Sequence, residues 1–269
     1  MAVTDRSGAG ALPERSELLR VAIEAAREGG RRALEYFGRA FPVETKPDGS
    51  PVTPADRASE EGIRDTILRR FPTHSILGEE SGARPGDPRV VWIIDPIDGT
   101  KSFVRGVPLF GVLVGVEVDG QPSVGVAFLP ALGDMVEAAR GLGCRWNGRT
   151  AHVSAVDRLS DALLLTTSVR AVERRGIPFR RLIEASGFQR GWGDCYGHVL
   201  VATGRAEAML DPHVAPWDNA PFLPILEEAG GRFTDWEGRP TVRSPDSLST
   251  NGRLHDGVLQ LLRDATPIP

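Results

Sequence analysis

The sequence has 269 residues, of which 41% are hydrophobic and 25% are charged, a composition typical of a folded globular protein. No apolar run approaches the roughly 18 residues of a membrane-spanning helix, and the formal net charge of -4 includes no basic stripe. These features argue against a membrane or a nucleic acid as a partner. The polar residues 1–14 predict a disordered lead rather than a signal peptide, and the two cysteines fit no disulfide framework, so we expect a cytoplasmic protein.

The first half of the chain predicts two helices followed by strands. Apolar residues at steps of three and four between Glu17 and Phe37 are typical of an amphipathic helix. Thr53 and Pro54 have the residue types of an N-cap and a first helical position, so a second helix should begin there and end near Pro72. Two strands and an antiparallel meander are then expected at residues 75–77, 90–94 and 111–149.

The second half alternates between strands and helices. The predicted strands are residues 163–167, 206–210 and 232–235. The predicted helices are residues 179–186, 195–203, 218–229 and 254–264. We therefore predict an α/β fold, more broadly α+β, in which sheets are layered with helices and the chain divides near residue 150 into halves of residues 15–150 and 151–269.

Two aspartates follow the apolar strand at residues 90–94. Pro96 biases the turn between Asp95 and Asp98, so both carboxylates and the Ile97 carbonyl can face one point. Oxygen ligands of this kind suit a hard cation, and Mg²⁺ is the expected ion. Further acids stand at predicted element ends and could join this site, namely Asp56, Glu79, Glu80 and Asp218.

Gly99 and Thr100 directly follow the second aspartate. Their backbone N–H groups lie at a turn where glycine allows an anion to approach, as in a phosphate cradle. A metal cluster beside such a cradle indicates phosphoryl transfer. The five histidines have no zinc-ligand spacing, and the chain has no Walker A loop.

Each acid also has a purely structural interpretation. Asp56 could be the distal half of a capping box, and Asp218 could be an N-cap. Glu79 and Glu80 could be solvated loop charges. The stretch from Asp95 to Thr100 is harder to explain as a simple turn, because it contains two acids where one would suffice.

Three segments together resemble the inositol monophosphatase-like superfamily of Mg²⁺-dependent phosphatases. These are residues 78–80 (GEE), 92–100 (WIIDPIDGT) and 216–218 (PWD) with 228–231 (EAGG) behind them. The resemblance extends from about residue 15 to the C-terminus. It implies a layered αβαβα sandwich, usually a homodimer, that hydrolyses a small phosphate ester.

The resemblance also implies roles for individual residues. Two or three Mg²⁺ ions would be held by Glu79, Asp95, the Ile97 carbonyl, Asp98 and Asp218. Thr100, hydrogen-bonded to Asp56, would help Glu79 to orient a water for in-line attack. The phosphate would bind to the amides of Gly99 and Thr100, with no covalent intermediate.

The segments at residues 46–57, 98–103, 192–198 and 250–256 look most like the histidinol-phosphate phosphatase branch. Because histidinol phosphate carries an ammonium and an imidazole, Asp98, Asp194, Asp211 and His198 are the candidate substrate-binding residues. Asp194 could instead cap the following helix, and His198 could be a buried helix residue. An inositol or broad sugar monophosphatase, and a non-catalytic sensor of a phosphate ligand, are the alternatives.

Overall fold

The computed structural model describes residues 12–176 and 179–263. The predicted disordered lead therefore lies outside the described residues except for residues 12–14. Of these, Leu12 packs against a hydrophobic core that includes Leu18 and Trp92. Within these ranges no helix is long and apolar enough to cross a membrane. The α-helices are α1 (Arg15–Leu34), α2 (Pro54–Arg70), α3 (Thr100–Phe103), α4 (Val169–Arg174), α5 (Phe179–Ala185), α6 (Asp194–Ala202), α7 (Pro216–Asn219), α8 (Phe222–Glu228) and α9 (His255–Arg263).

The strands form one hairpin and two sheets. The hairpin consists of β1 (Glu44–Thr45) and β2 (Pro51–Val52). The strands of the first sheet are β3 (His74–Gly78), β4 (Gly82–Arg84), β5 (Asp87–Asp98), β6 (Gly111–Val118), β7 (Gln121–Leu129), β8 (Asp134–Ala139), β9 (Gly143–Trp146) and β10 (Arg149–Thr150). Those of the second sheet are β11 (Leu163–Thr166), β12 (Phe188–Arg190), β13 (Ala208–Asp211), β14 (Arg232–Thr234) and β15 (Ser247–Thr250).

The first sheet has the order β10-β9-β8-β7-β6-β5-β3-β4, and it is antiparallel except for the parallel pair β3 and β5. The second sheet has the order β12-β11-β13-β15-β14. Strand β11 runs parallel to both β12 and β13. The carboxyl ends of these three strands therefore meet at one edge of the second sheet, which is where side chains from different strands can converge on a ligand.

Helices cover both sheets and fill the space between them. Apolar faces of α1 and α2 pack on the outer face of the first sheet. Helices α6 and α8 lie between the two sheets, and α4, α5 and α9 cover the far face of the second sheet. This order of layers, helix, sheet, helix, sheet and helix, is the αβαβα sandwich that the family resemblance implied.

The prediction of one continuous helix at residues 218–229 is wrong. The structure has two short helices there, α7 and α8, separated at Ala220 and Pro221. Proline has no N–H and therefore cannot continue the helical hydrogen-bond ladder. Strand β15 was missed because its sequence, SLST, is short and mostly polar, although all four residues are buried in the second sheet.

Gly125 allows the first sheet and the central helices to pack closely. A Cβ at this position of β7 would lie 2.0 Å from the backbone carbonyl oxygen of Pro221, directly before α8. We expect Gly125→Ala to reduce the free energy of unfolding by about 3 kcal/mol, since backbone atoms cannot move aside as a side chain can. Denaturant unfolding followed by circular dichroism measures this change.

Gly257→Ala provides the matched control. Gly257 lies in α9, and a Cβ there would meet the Leu159 side chain at the ordinary contact distance of 3.5 Å. We expect this variant to be more stable than the wild type by roughly 0.5–1 kcal/mol, because alanine favours the helix. Equal effects of the two substitutions would contradict the close packing at Gly125.

Candidate metal and phosphate site

A β-bulge places Asp95 and Asp98 on the same side of strand β5. In the pairing with β6, Asp95 lies opposite Leu113 and Asp98 opposite Gly111, so one extra residue is inserted in β5. Side chains three positions apart in a regular strand point to opposite faces, and the bulge cancels this alternation. The strand therefore continues through Pro96 to Asp98, whereas the sequence predicted that it would stop before Asp95.

Asp218 reaches the same point from the second half of the chain. One carboxylate oxygen of each of Asp95, Asp98 and Asp218 can be chosen so that all three lie within 4.8 Å of one another. Asp218 is the third residue of α7 and accepts the N–H of Ala215 at 2.7 Å, so it is not the N-cap that the structural alternative assumed. Its carboxylate is held by the start of the helix.

Burial and mutual repulsion make this cluster costly without a cation. Burial first, and then the charges of Glu79, Asp98 and Asp218, hold the pKa of Asp95 well above its usual range. Burial likewise raises the pKa of Asp98 and brings that of Asp218 to about 6. In the described residues, no lysine or arginine forms an ion pair with these three acids. A divalent cation would supply the missing charge, so the donor set fits Mg²⁺.

Glu79 lies at the edge of this cluster. Its charge raises the pKa of Asp95 and of Asp218, so it stands close to both, although it is not part of the group within 4.8 Å. In the structure its Oε1 accepts a hydrogen bond from Lys46 Nζ at 2.7 Å. Glu79 is therefore paired and half-buried, which differs from the solvated loop charge of the structural alternative.

Asp56 combines the capping role and a contact with the site. Its Oδ2 accepts the backbone N–H of Thr53 at 2.7 Å and the Thr53 hydroxyl at 2.6 Å, which completes a capping box. Its Oδ1 lies 3.4 Å from the Thr100 hydroxyl, which also donates to the Ile97 carbonyl at 2.9 Å. The Thr100 proton thus lies between a carboxylate and a predicted metal ligand.

Gly99 forms the turn that ends this segment. Its φ of 82° is in the left-handed region, which a side chain disfavours, and it precedes the short helix α3. Within the described part of the chain, the N–H groups of Gly99 and Thr100 donate to no protein acceptor, whereas the Gly99 carbonyl accepts from Ser102 and Phe103. These two amides are available to an anion.

Asp194 and Asp211 lie beside this turn and are joined by Thr167. The Thr167 hydroxyl donates to Asp211 Oδ2 at 2.7 Å and accepts the N–H of Asp194 at 2.9 Å. A Cβ on Gly99 would lie 3.4 Å from Asp194 Oδ2, and the N–H of Cys195 donates to Asp98. The start of α6 is therefore in contact with both the cradle and the acid cluster.

Burial sets the protonation of these two acids. It raises the pKa of Asp211 to about 8 and also raises the pKa of Asp194, which the nearby charge of Lys101 opposes. The N-cap of α6 is Gly193 and Asp194 is the first helical residue, so the interpretation of Asp194 as the cap is wrong. Both acids remain candidates for binding a cationic part of a substrate.

His198 does not reach this cleft, which corrects its assignment as a substrate-binding residue. Its ring is 2% exposed, packs against Phe222 at 4.7 Å between centroids and hydrogen-bonds to the Ser249 hydroxyl at 2.7 Å. Burial lowers its pKa to about 3. The helix that begins at Asp194 carries His198 into the core between the two sheets.

Glu60 supports the site but was not found by sequence analysis. It is fully buried and accepts the N–H groups of Glu80 at 2.8 Å and Ser81 at 2.9 Å, and it pairs with Arg64 at 2.8 Å. These bonds fix the loop that carries Glu79. The sequence feature that could have identified Glu60 is its position four residues after Asp56, which places both residues on the same buried face of α2.

Comparisons with known proteins identify the family of the chain. The inositol monophosphatase family model matches residues 14–266. A histidinol-phosphatase from Chlorobaculum parvum is 44% identical over 233 residues, covering 86% of this chain and 90% of its own length. A histidinol-phosphatase from Mycobacterium tuberculosis is 41% identical over 227 residues, with 82% and 87% covered.

Solved structures give the same result. An inositol monophosphatase from Anabaena has a TM-score of 0.83 and 32% identity, with 94% of this chain and 98% of that chain covered. An inositol monophosphatase from Thermotoga maritima has a TM-score of 0.84 and 30% identity, with 93% and 98% covered. The resemblance and the fold predicted from the sequence are thus confirmed, and the chain belongs to the inositol monophosphatase family.

Proposed function

We propose that this protein is a Mg²⁺-dependent phosphomonoester hydrolase whose substrate is histidinol phosphate. The observation that carries the hydrolase assignment is the cluster of Asp95, Asp98 and Asp218, with one oxygen of each within 4.8 Å of the others, beside the amides of Gly99 and Thr100, which donate to no acceptor among the described residues. The substrate assignment is supported by Asp194 and Asp211 next to that cradle, and by relatives that are named histidinol-phosphatases.

We assign the metal ligands as Glu79, Asp95, the Ile97 carbonyl, Asp98 and Asp218, with two or three Mg²⁺ ions per site. Bound magnesium supplies charge that polarises the phosphoryl group and lowers the pKa of water. The protein contributes the fixed oxygen donors that hold this charge. It also contributes the Gly99 and Thr100 amides, which orient the phosphate for in-line attack.

Thr100 and Asp56 together accept the proton of the attacking water. When the Thr100 hydroxyl donates to Asp56 Oδ1 rather than to the Ile97 carbonyl, its lone pairs are free to accept a hydrogen bond from that water. Burial raises the pKa of Asp56, so its Oδ1 can take up the proton that passes through Thr100. Glu79 would help to orient the same water.

The substrate's leaving group carries a primary ammonium and an imidazole. Asp194 contacts the turn that forms the cradle, Asp211 is joined to Asp194 through Thr167, and the N–H of Cys195 next to Asp194 donates to Asp98. We assign these three acids to substrate binding and leave out His198, whose ring is buried in the core. A charged hydrogen bond from the ammonium to Asp194 would contribute about 1.5–3 kcal/mol.

Phosphate release from a panel of esters tests this function. With Mg²⁺, we expect kcat/KM for histidinol phosphate to exceed that for inositol 1-phosphate by at least about 100-fold, because only the former has a cation for Asp194. Asp194→Asn should reduce kcat/KM for histidinol phosphate by roughly 10–100-fold and leave inositol 1-phosphate nearly unchanged.

Comparable turnover of the two esters would overturn the assignment of histidinol phosphate as the substrate and favour a broad inositol or sugar monophosphatase. A relative from Aquifex aeolicus, 34% identical, is named a fructose-1,6-bisphosphatase/inositol-1-monophosphatase, so these esters belong in the panel. If no ester releases phosphate, the assignment as a hydrolase is overturned and a sensor of phosphate ligands is favoured.

We also propose that the protein is a cytoplasmic homodimer, as the family resemblance implies. Light scattering on the purified chain should then give about twice the 29.0 kDa of one subunit. A mass of one subunit at micromolar concentration would contradict this assembly.

A further inference from the structure

Lys46 has no part in the function described so far, yet its ammonium lies against the edge of the acid cluster. Its Nζ is 2.7 Å from Glu79 Oε1 and 2.6 Å from Glu80 Oε1. The lysine side chain is 18% exposed, and those of Glu79 and Glu80 are 19% and 9% exposed. The three charged groups are thus largely buried, and one ammonium pairs with two carboxylates.

The β1–β2 hairpin presents Lys46 in a defined position. The N–H of Lys46 donates to the Ser50 carbonyl at 2.8 Å, and the N–H of Gly49 donates to the Lys46 carbonyl at 2.9 Å. Asp48 Oδ1 accepts both the N–H and the hydroxyl of Ser50. The hairpin therefore delivers the ammonium from an ordered turn that is closed by its own hydrogen bonds.

Only one of the two carboxylates that Lys46 contacts is an assigned metal ligand. Glu79 acts electrostatically on Asp95 and Asp218, whereas Glu80 is not among the groups that act on either acid, and its backbone is fixed by the bond of its N–H to Glu60 Oε2 at 2.8 Å. In the described residues, Lys46 is the one cation that forms an ion pair with Glu80. Glu80 can thus neutralise Lys46 whether or not Glu79 does.

We propose that Lys46 is an internal competitor for the cation at Glu79, and that Glu80 receives its ammonium when a cation binds. This inference depends on the proposed function only for the assignment of Glu79 as a ligand. A Glu79 oxygen that holds an ammonium at 2.7 Å cannot also ligate a divalent cation without strong repulsion between the two positive charges.

Because Nζ already contacts Glu80 at 2.6 Å, Lys46 can leave Glu79 by a rotation of its flexible side chain and remain paired. Lys46 and Glu80 would together set the magnesium concentration at which the Glu79 position fills. They are positioning residues, since they act on the metal site through Glu79.

Removing Lys46 and removing Glu80 should change the magnesium affinity in opposite directions. In Lys46→Met the competitor is absent, so we expect the Kd for Mg²⁺ to fall about fivefold to tenfold. In Glu80→Gln the ammonium has no second carboxylate and stays on Glu79, so we expect the Kd to rise about tenfold.

The double variant distinguishes competition from a general effect of charge. If Glu80 acts by receiving Lys46, then Glu80→Gln in the Lys46→Met background should change the Kd by no more than about twofold. If both residues act only through the electrostatic field, the two effects should be additive. Additivity would overturn the proposal.

The experiment is an isothermal titration of Mg²⁺ into the metal-stripped full chain for the wild type, both single variants and the double variant. Lys101→Met is the matched control, because it removes another lysine at the edge of the site whose charge acts on Asp194. We expect its Kd to remain within about twofold of the wild type. A decrease equal to that in Lys46→Met would overturn the specific role of Lys46.

Lys46→Arg provides a second test if Lys46→Met does not fold. The guanidinium fork can hold Glu79 and Glu80 at the same time, so we expect weaker magnesium binding and a smaller Mg²⁺-induced rise in Tm than in the wild type. A Kd and a Tm shift equal to those of the wild type would contradict competition. Failure of the wild type to bind Mg²⁺ would instead overturn the proposed function.

Discussion

Asp95→Asn should abolish phosphate release while leaving the metal-free protein at least as stable as the wild type. We expect a loss of at least about 10³-fold in kcat/KM, since a neutral amide is a poor Mg²⁺ ligand and the metal contributes several kcal/mol to the transition state. The same change removes a buried carboxyl whose pKa is held well above its usual range.

The opposite signs of the two effects make this substitution informative. Without metal, burial and the charges of Glu79, Asp98 and Asp218 favour the protonated, neutral form of Asp95, since they hold its pKa well above its usual range. The side-chain amide that Asp95→Asn introduces is always neutral, so the metal-free fold no longer has to accommodate a buried charge at this position. With saturating Mg²⁺ the order should reverse, because the wild type gains binding free energy that the variant lacks.

Asp87→Asn is the control for this prediction. Asp87 begins the same strand, pairs with Arg89 on the partly exposed surface and undergoes the same chemical change. We expect its activity and its Mg²⁺-induced rise in Tm to match those of the wild type. Activity of Asp95→Asn near that of the wild type would refute the assignment of Asp95 as a metal ligand.

Sequence patterns predicted the acids of the site but not how the chain brings them together. Asp95 and Asp98 stood out because two acids follow an apolar strand, yet their common orientation depends on a bulge opposite Leu113 and Gly111. A bulge is defined by pairing with another strand, which is a long-range interaction. The local sequence therefore predicted candidate residues and not the geometry that brings them together.

The same distinction explains the residues that were missed or misplaced. Glu60 and Thr167 bond to residues more than about 15 positions away, so their partners could not be predicted from the local sequence, although the helical spacing of Glu60 from Asp56 placed both on one face of α2. His198 is separated from Asp194 by one helical turn, but its ring turns towards Phe222 in the core. Only the packing of α6 between the sheets determines which side of that helix faces the cleft.

Asp211 should make the protein less stable as the pH rises from about 4 to about 8. Burial raises its pKa from 3.8 to about 8, so in this range the folded protein holds a proton that the unfolded chain has released. Because the folded state binds more protons, the free energy of unfolding falls with increasing pH. The penalty is absent below the unfolded pKa and complete above the folded pKa.

Asp211→Asn removes this penalty. We expect similar stability of variant and wild type near pH 4, and a variant more stable by roughly 3–5 kcal/mol above pH 8, since one pKa unit corresponds to about 1.4 kcal/mol. Urea unfolding in EDTA across this pH range measures the difference. A difference that does not depend on pH would contradict the raised pKa.

Asp235→Asn is a control with the opposite expected sign. The Asp235 carboxylate is also buried, but it accepts the N–H groups of Glu237 and Arg239 and pairs with the Arg239 side chain at 2.7 Å. Its replacement should destabilise the protein at neutral pH by about 1–3 kcal/mol, because it weakens charged hydrogen bonds.

The stability gained in Asp211→Asn should be accompanied by a loss in substrate binding. A carboxyl buried between Thr167 and His213 is costly to ionise in the empty site, and the ammonium of histidinol phosphate would supply the charge that offsets this cost. We therefore expect KM for histidinol phosphate to rise in the variant more than KM for inositol 1-phosphate. An equal change for both esters would place Asp211 in the structure of the cleft rather than in recognition of the leaving group.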